Sequence, residues 1–287
     1  MPAGTLYIVA TPIGNLDDMP PRVAATFGLA DFVAAEDTRV TLKLLNHLGL
    51  KKPMVSYHEH ALHHGAAILD RVENGENCAL CSDAGMPCIS DPGEQIVKEA
   101  HARGVRVVPV PGATAATTAL AVSGQDTARF VFEGFLPMSK RERTDRLDRL
   151  KAEERTILFY EAPHKLRNTL ADLQAAFGPD RSVTLCRELT KLHEELTKTT
   201  LGAANEYYAA NDPRGEYVLV VAGAAPAETT DEGAPTLEQA VAAARVLMAD
   251  GLAPAHAARQ AAAGTPYSKG EIYKLLVAEK SANCKLK

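Results

Sequence analysis

Two kinds of pattern alternate along this chain, and the alternation restricts its fold more than any other feature. Short apolar runs at Leu6–Ala10, Phe32–Ala35, Met54–Tyr57, Cys78–Cys81 and Val105–Val110 have the length and continuity of strands buried on both faces. Helical patterns separate them, and Gly49, Gly75 and Gly104 stand where a left-handed residue would close a helix. Repetition of strand, helix and strand predicts a largely parallel sheet covered by helices on both sides. The small-residue segment Ala113–Ser123 reads as another helix, ending at Gly124.

A second set begins at Arg129, with strands near Phe130–Glu133, Thr156–Tyr160, Val183–Cys186 and Tyr217–Val221. Helices near Lys140–Glu153, Pro163–Phe177 and Leu201–Ala210 separate them. We therefore expect two α/β domains, residues 1–120 and 121–224, since a chain of 287 residues can build two cores. Residues 225–235 are polar and rich in Pro and Ala, and read as a linker. Residues 236–287 read as a small helical unit with helices Leu237–Ala249, Pro254–Ala263 and Lys269–Glu279. A tight turn at Gly264–Tyr267 precedes Ser268 and Glu271, which have capping-box spacing. Two short helices about such a turn resemble a helix-turn-helix, an arrangement used for nucleic acid and equally for ordinary packing.

The loop Ser82–Gly93, SDAGMPCISDPG, follows one of these strands and is too long and too polar for a minimal connection. Ligands bind at the carboxyl ends of strands in open α/β sheets, which places this loop at a candidate site. Its end reads as a helix start: Asp91 as N-cap, Pro92 in the first turn and Glu94 at the capping-box position. Four more loops share the logic: TPIGNL (Thr11–Leu16), PVPGATA (Pro109–Ala115), FEGF (Phe132–Phe135) and YEAPH (Tyr160–His164). Neither GxGxxG nor GxxxxGK[ST] occurs, so NAD(P) enzymes and P-loop NTPases lose their main support. Backbone donors, carboxylates and no phosphate-cradle lysine suit a neutral or cationic nucleoside.

No apolar run is long enough to cross a bilayer, and the N-terminus lacks a basic signal region, so a cytoplasmic protein is expected. Five scattered cysteines fit a reducing compartment. Cys78 and Cys81 are three apart in a strand and would point to opposite faces, which argues against joint redox or zinc use. His58, His60, His63 and His64 lack the companions of a complete ligand set; we expect no metal and leave RNA or active-site contacts, or surface polarity, as their role. The net charge of −5 disfavours a generic nucleic-acid coat. Locally the balance differs: Lys140, Arg141, Arg143, Arg146, Arg149 and Lys151 outnumber the acids of their helix, and residues 232–287 carry 7 basic against 5 acidic side chains. The helix is either a nucleic-acid contact or a solvated face laced with ion pairs.

In order along the chain, VATPIGNLDD, AAEDTR, SYHEH, SDAGMPCISDPG, VPVPGATA, FEGFLP, FYEAPHKL, RELTK and GEYVLVV resemble the tetrapyrrole methylase superfamily, in its branch of ribosomal small-subunit RNA 2′-O-methyltransferases. The resemblance covers nearly the whole chain, helical tail included. It implies a two-domain α/β fold of tetrapyrrole-methylase type with S-adenosylmethionine in the interdomain cleft, and a homodimer. It further implies methylation of a cytidine ribose in the decoding region of 16S rRNA, within the small ribosomal subunit, with no role for a membrane. By similarity Pro12, Ile13 and Gly14 would floor the cleft, and Ser82, Asp83, Gly85 and Met86 would wrap the cofactor. Thr114 and Ala115 would add contacts at a helix start, and Phe132, Ala162, Pro163 and Glu216 would close the adenine side. A carboxylate such as Asp83 would favour the cationic cofactor, while Asp91 is expected to cap.

Transfer to a ribose hydroxyl requires in-line approach and loss of the hydroxyl proton. Candidates for that work are Glu36 and Asp37, Arg39 as a phosphate clamp or a partner of Glu36, and Lys191 as a phosphate ligand or a local positive charge. Two rivals stay open: a methyltransferase for a tetrapyrrole or other small molecule, and a non-catalytic ribosome-binding factor.

Overall fold

A computed structural model describes residues 2–58, 64–225 and 235–283. His60, His63 and most of the expected linker lie outside the described residues. Two compact units divide the chain, Met1–Ala225 and Pro226–Lys287.

The first unit contains two sheets. In the first, β1 (Thr5–Val9), β2 (Phe32–Ala35), β3 (Met54–Ser56), β4 (Cys78–Cys81) and β5 (Arg106–Val110) run parallel in the order β3-β2-β4-β1-β5. Alternation decides the two faces. Leu6, Phe32, Cys78 and Leu80 pack with α3 (His64–Glu73) and α4 (Glu94–Ala102) through Leu69, Val72 and Ile96. Val9, Val33, Ala79 and Cys81 turn the other way, onto Val23 and Phe27 of α1 (Pro21–Leu29) and Leu45 of α2 (Thr38–His47). Cys78 and Cys81 thus face opposite layers, and burial pushes the Cys81 thiol up to about 12. Gly49, Gly75 and Gly104 adopt φ of 68°, 104° and 71°, the conformation expected of them.

The second sheet is mixed. Its strands are β6 (Phe130–Gly134), β7 (Thr156–Glu161), β8 (Ser182–Arg187), β9 (Glu195–Thr200) and β10 (Tyr217–Val221), ordered β6-β7-β10-β8-β9. Only β6 and β7 pair in parallel; β10 runs antiparallel to β7 and β8, and β9 antiparallel to β8. One face packs on α6 (Lys140–Leu150), α7 (Pro163–Phe177) and α8 (Leu201–Ala210) through Leu147, Leu166, Leu170 and Leu201. Over the other face lies α5 (Ala115–Val122), the last helix of the first run, whose Ala116, Ala119 and Leu120 meet Leu158, Val218 and Val220. Helix α5 therefore belongs by packing to the second sheet, and its start is a corner shared by both sheets. Strand β9 was not expected. Its sequence ELTKTT is exposed at the sheet edge, so no buried face shows in its pattern.

The second unit packs α9 (Leu237–Ala249), α10 (Pro254–Ala262) and α11 (Lys269–Asn283) about Ala240, Ala244, Ala257, Ala258 and Ile272. Small residues let these helices approach closely. Thr236 and Gln239 form a capping box, and the Ser268 hydroxyl accepts from Glu271 N at 3.3 Å while Glu271 Oε2 accepts from Ser268 N at 2.8 Å. Among the described residues no helix is long and apolar enough to cross a membrane.

Candidate functional site

The loops after β1 and β4 leave the same edge of adjacent parallel strands. They are tied there by a two-way bridge: Thr11 N donates to Gly85 O at 2.8 Å and Gly85 N to Thr11 O at 3.1 Å. The Thr11 hydroxyl donates to Ser82 O at 3.3 Å. Beyond Gly85 the chain contorts. Cys88 and Ser90 hold φ of 70° and 63°, unusual for side-chain-bearing residues and tolerated where the surroundings enforce it.

The helix after this loop does not start as expected. Gly93, with φ 142°, is the N-cap of α4 and offers no side-chain bond. A Cβ at Gly93 would lie 2.4 Å from Cys88 Sγ, so the turn requires glycine. Asp91 does not cap. It lines a cavity, and burial pushes its carboxyl up to about 6, the Ser82 hydroxyl opposing and the Glu36 and Asp83 carboxylates reinforcing.

That cavity, about 460 Å³, lies between the β1 and β4 loops, the start of α5 and the inner face of the second sheet. Its volume suits a nucleoside-sized ligand, and its walls are mostly apolar. Phe132 and Phe135 meet Tyr160 edge to face, with centroids 4.9 and 5.6 Å away. The Tyr160 hydroxyl accepts from Ala116 N at 3.1 Å, in the first turn of α5. Thr114 caps that helix, accepting from Thr117 N at 3.4 Å. Glu161, only 3% exposed, accepts from Ala162 N at 2.9 Å and from the Thr169 hydroxyl. Arg143 of α6 donates to the same Thr169 hydroxyl at 2.7 Å, linking the cavity wall to the basic helix.

At another corner the Lys191 ammonium donates to Glu188 Oε1 and Glu216 Oε2, both at 2.8 Å. Burial opposes the Lys191 charge, but the two carboxylates outweigh it and raise the affinity for the proton. Lys191 is therefore a firm cation, unsuited to take a proton. A Cβ on Gly14 would lie 2.5 Å from Lys191 Cγ, so this glycine lets the β1 loop close on the lysine stem.

Glu36, Asp37, Arg39 and Asp83 gather at the ends of β2 and β4, outside the cavity wall. Asp83 Oδ1 accepts from Asp37 N at 3.1 Å, and Glu36 Oε2 from Asp83 N at 3.3 Å. Arg39 pairs with Asp37 at 2.6 Å rather than with Glu36, and its side chain is 87% exposed. Asp37 caps α2, and hydrogen bonds from Arg39 hold its carboxyl down at about 2. Burial raises Glu36 and Asp83, backbone donors oppose this, and neighbouring carboxylates add to it. His58 lies close enough to favour the Glu36 charge, and His64 Nδ1 is 3.0 Å from Ser56 O.

Of the residues expected to hold a cofactor, Ile13, Gly85, Met86, Thr114, Ala115, Phe132, Ala162 and Glu216 line the cavity, as does Lys191. Pro12, Gly14, Ser82, Asp83 and Pro163 do not: Ser82 is buried within the loop, and Pro163 is in the first turn of α7. Reading the sequence missed Asp91, Phe135, Tyr160, Glu161, Glu188 and Tyr217 as wall residues. Tyr160 and Glu161 lie inside YEAPH, already singled out, whereas the inward turn of Asp91 depends on the left-handed residues before it and left no local signal.

The family model for tetrapyrrole (corrin/porphyrin) methylases matches residues 5–205. The ribosomal RNA small subunit methyltransferase I of Synechocystis sp. is 47% identical over 273 residues, covering 95% of this chain and 97% of that protein. The protein of the same name from Haemophilus influenzae is 44% identical over 273 residues, covering 94% and 95%. Among solved structures, the methyltransferase CobJ matches 78% of this chain and 95% of its own with a TM-score of 0.57. At 19% identity that likeness concerns the fold alone.

Proposed function

The chain belongs to the tetrapyrrole (corrin/porphyrin) methylases, and from that premise we propose that it methylates RNA of the small ribosomal subunit with S-adenosylmethionine as donor. The acceptor in this proposal is the ribose 2′ hydroxyl of a cytidine in the decoding region of 16S rRNA, met within the subunit by a homodimer. One observation supports it: the near full-length identity to relatives named ribosomal RNA small subunit methyltransferase I, which runs past residue 205 where the family model ends.

The cavity fits the donor. S-adenosylmethionine, when bound, supplies an electrophilic methyl group on a positively charged sulfur. Phe132 and the start of α5 at Ala115 offer an apolar slot for a nucleoside, and Glu188 and Glu216, two carboxylates against the single Lys191 ammonium, leave that wall net negative toward a cation. Asp83 acts from behind the wall, fixing the Asp37 amide and adding to the negative field. Ser82 and Thr11 brace the loop that carries Gly85 and Met86.

Helix α6 supplies the contact for RNA, though not with all its cations. Arg143 is tied to Asp172 and Thr169, Arg146 to Glu133 at 3.2 Å and Lys151 to Asp148 at 2.7 Å. Lys140, Arg141 and Arg149 are exposed and free of such tight pairing, since Arg141 reaches Asp145 only at 4.0 Å. These three are assigned to phosphate. Calorimetry with S-adenosylmethionine, followed by methyl transfer to isolated small subunits, tests the proposal. Saturable binding and incorporation into 16S rRNA are expected; no binding at millimolar donor would contradict it.

A further inference from the structure

The geometry points to Asp91 as the group that takes the proton of the acceptor hydroxyl, a role that rests on the methyl-transfer reaction proposed above. Of the four carboxylates on the cavity wall, three are committed. Glu161 holds Ala162 N and the Thr169 hydroxyl, and Glu188 and Glu216 share the Lys191 ammonium. Lys191 itself has no lone pair to offer while it is held as a cation between them. Outside the wall, Asp37 is spent on Arg39 and on the cap of α2. Among the described residues Asp91 is tied neither to a cation nor to a backbone amide, and the nearby Ser82 hydroxyl, which donates to Ala84 O at 3.3 Å, favours its charge.

The chain is bent to put it there. Cys88 and Ser90 sit at positive φ immediately before Asp91, and Gly93 replaces it as the helix cap. From the second sheet, Gly134 holds φ 61°, and a Cβ there would lie 2.7 Å from Ser90 Oγ. Both sheets thus enforce the loop that turns the carboxyl inward.

The groups that face Asp91 come from several elements. They are Ser82 and Asp83 of its own loop, Glu36 after β2 and Tyr160 of β7, with Cys88 on the flanking chain. Burial and the two carboxylates hold its proton affinity near 6, ionised at neutral pH yet basic enough to accept. The balance is complete. A bond forms between the ribose oxygen and the methyl carbon as the sulfur–methyl bond breaks, the hydroxyl proton passes to an Asp91 carboxylate oxygen, and the sulfonium leaves as a neutral thioether.

The test is Asp91→Asn in the full chain, with S-adenosylmethionine affinity from calorimetry and single-turnover methylation of small subunits across pH 5–9. We expect donor affinity within about twofold of wild type and a methylation rate lower by about 10²-fold or more. In the wild type, kcat/KM should rise with an acid limb near 6, and the variant should lose that limb. Ser82→Ala provides a second readout. Removing the hydroxyl that favours the Asp91 charge should move the limb to higher pH, whether or not Asp91→Asn folds. A variant with wild-type rate and limb, a loss of rate matched by loss of donor affinity, or a limb unmoved by Ser82→Ala would overturn the assignment. If the wild type methylates no rRNA at all, the underlying reaction fails instead, which is a different result.

Discussion

Asp91 carries a cost in stability that follows from its surroundings. Its carboxyl titrates near 3.8 in an unfolded chain and at about 6 in the fold, so between those values the native state holds more protons. Its contribution to stability therefore falls as pH rises through that window and stays unfavourable above about 6. Asp91→Asn should stabilise the protein at pH 7 by about 1–2 kcal/mol, allowing for solvent around a partly exposed carboxyl, and should change little at pH 4. Urea unfolding at the two pH values measures this. Tyr160→Phe takes the acceptor from Ala116 N and should cost about 1 kcal/mol in the same assay, with weaker binding of S-adenosylmethionine. At this scale the sequence was partly legible. Ser268 with Glu271 as a capping pair depends on neighbours three residues apart, and such spacing can be read, whereas Thr114, expected only as a cofactor contact, also caps α5. Asp91 beside Pro92 has the same appearance, but the positive φ of Cys88 and Ser90 arises from packing across both sheets.

Among the elements, α6 combines two duties that its composition alone does not separate. Replacing Lys140, Arg141 and Arg149 with Ala should weaken binding to small subunits about tenfold or more and flatten its salt dependence, leaving donor affinity unchanged. Filter binding at several salt concentrations checks both. Arg143→Ala should act differently. It removes a donor from the Thr169 hydroxyl that holds Glu161, so it should lower thermal stability and donor affinity together. The strands Phe32–Ala35, Cys78–Cys81 and Tyr217–Val221 were legible because each is buried along its whole length and reads as a continuous apolar run. Strand β9 was not, because an exposed edge needs no apolar face and its register is set by β8.

For the molecule as a whole, the two compact units imply a division of labour. Deleting residues 226–287 should reduce rRNA methylation more than donor affinity, because the cavity is built entirely within the first unit. Calorimetry and methyl transfer on the shortened chain would show the split. Exposed Leu192 and Leu196, beside and within edge strand β9, offer an apolar seam for the proposed homodimer, and light scattering should give twice the chain mass. The central claim is the chemistry at the ribose, and mass mapping of 16S rRNA tests it most directly, comparing cells that lack this gene with the same cells after its return. One 2′-O-methylcytidine in the decoding region should vanish and reappear with the gene. An unchanged ribose methylation pattern, or a gene-dependent methyl group on a base, would contradict the account.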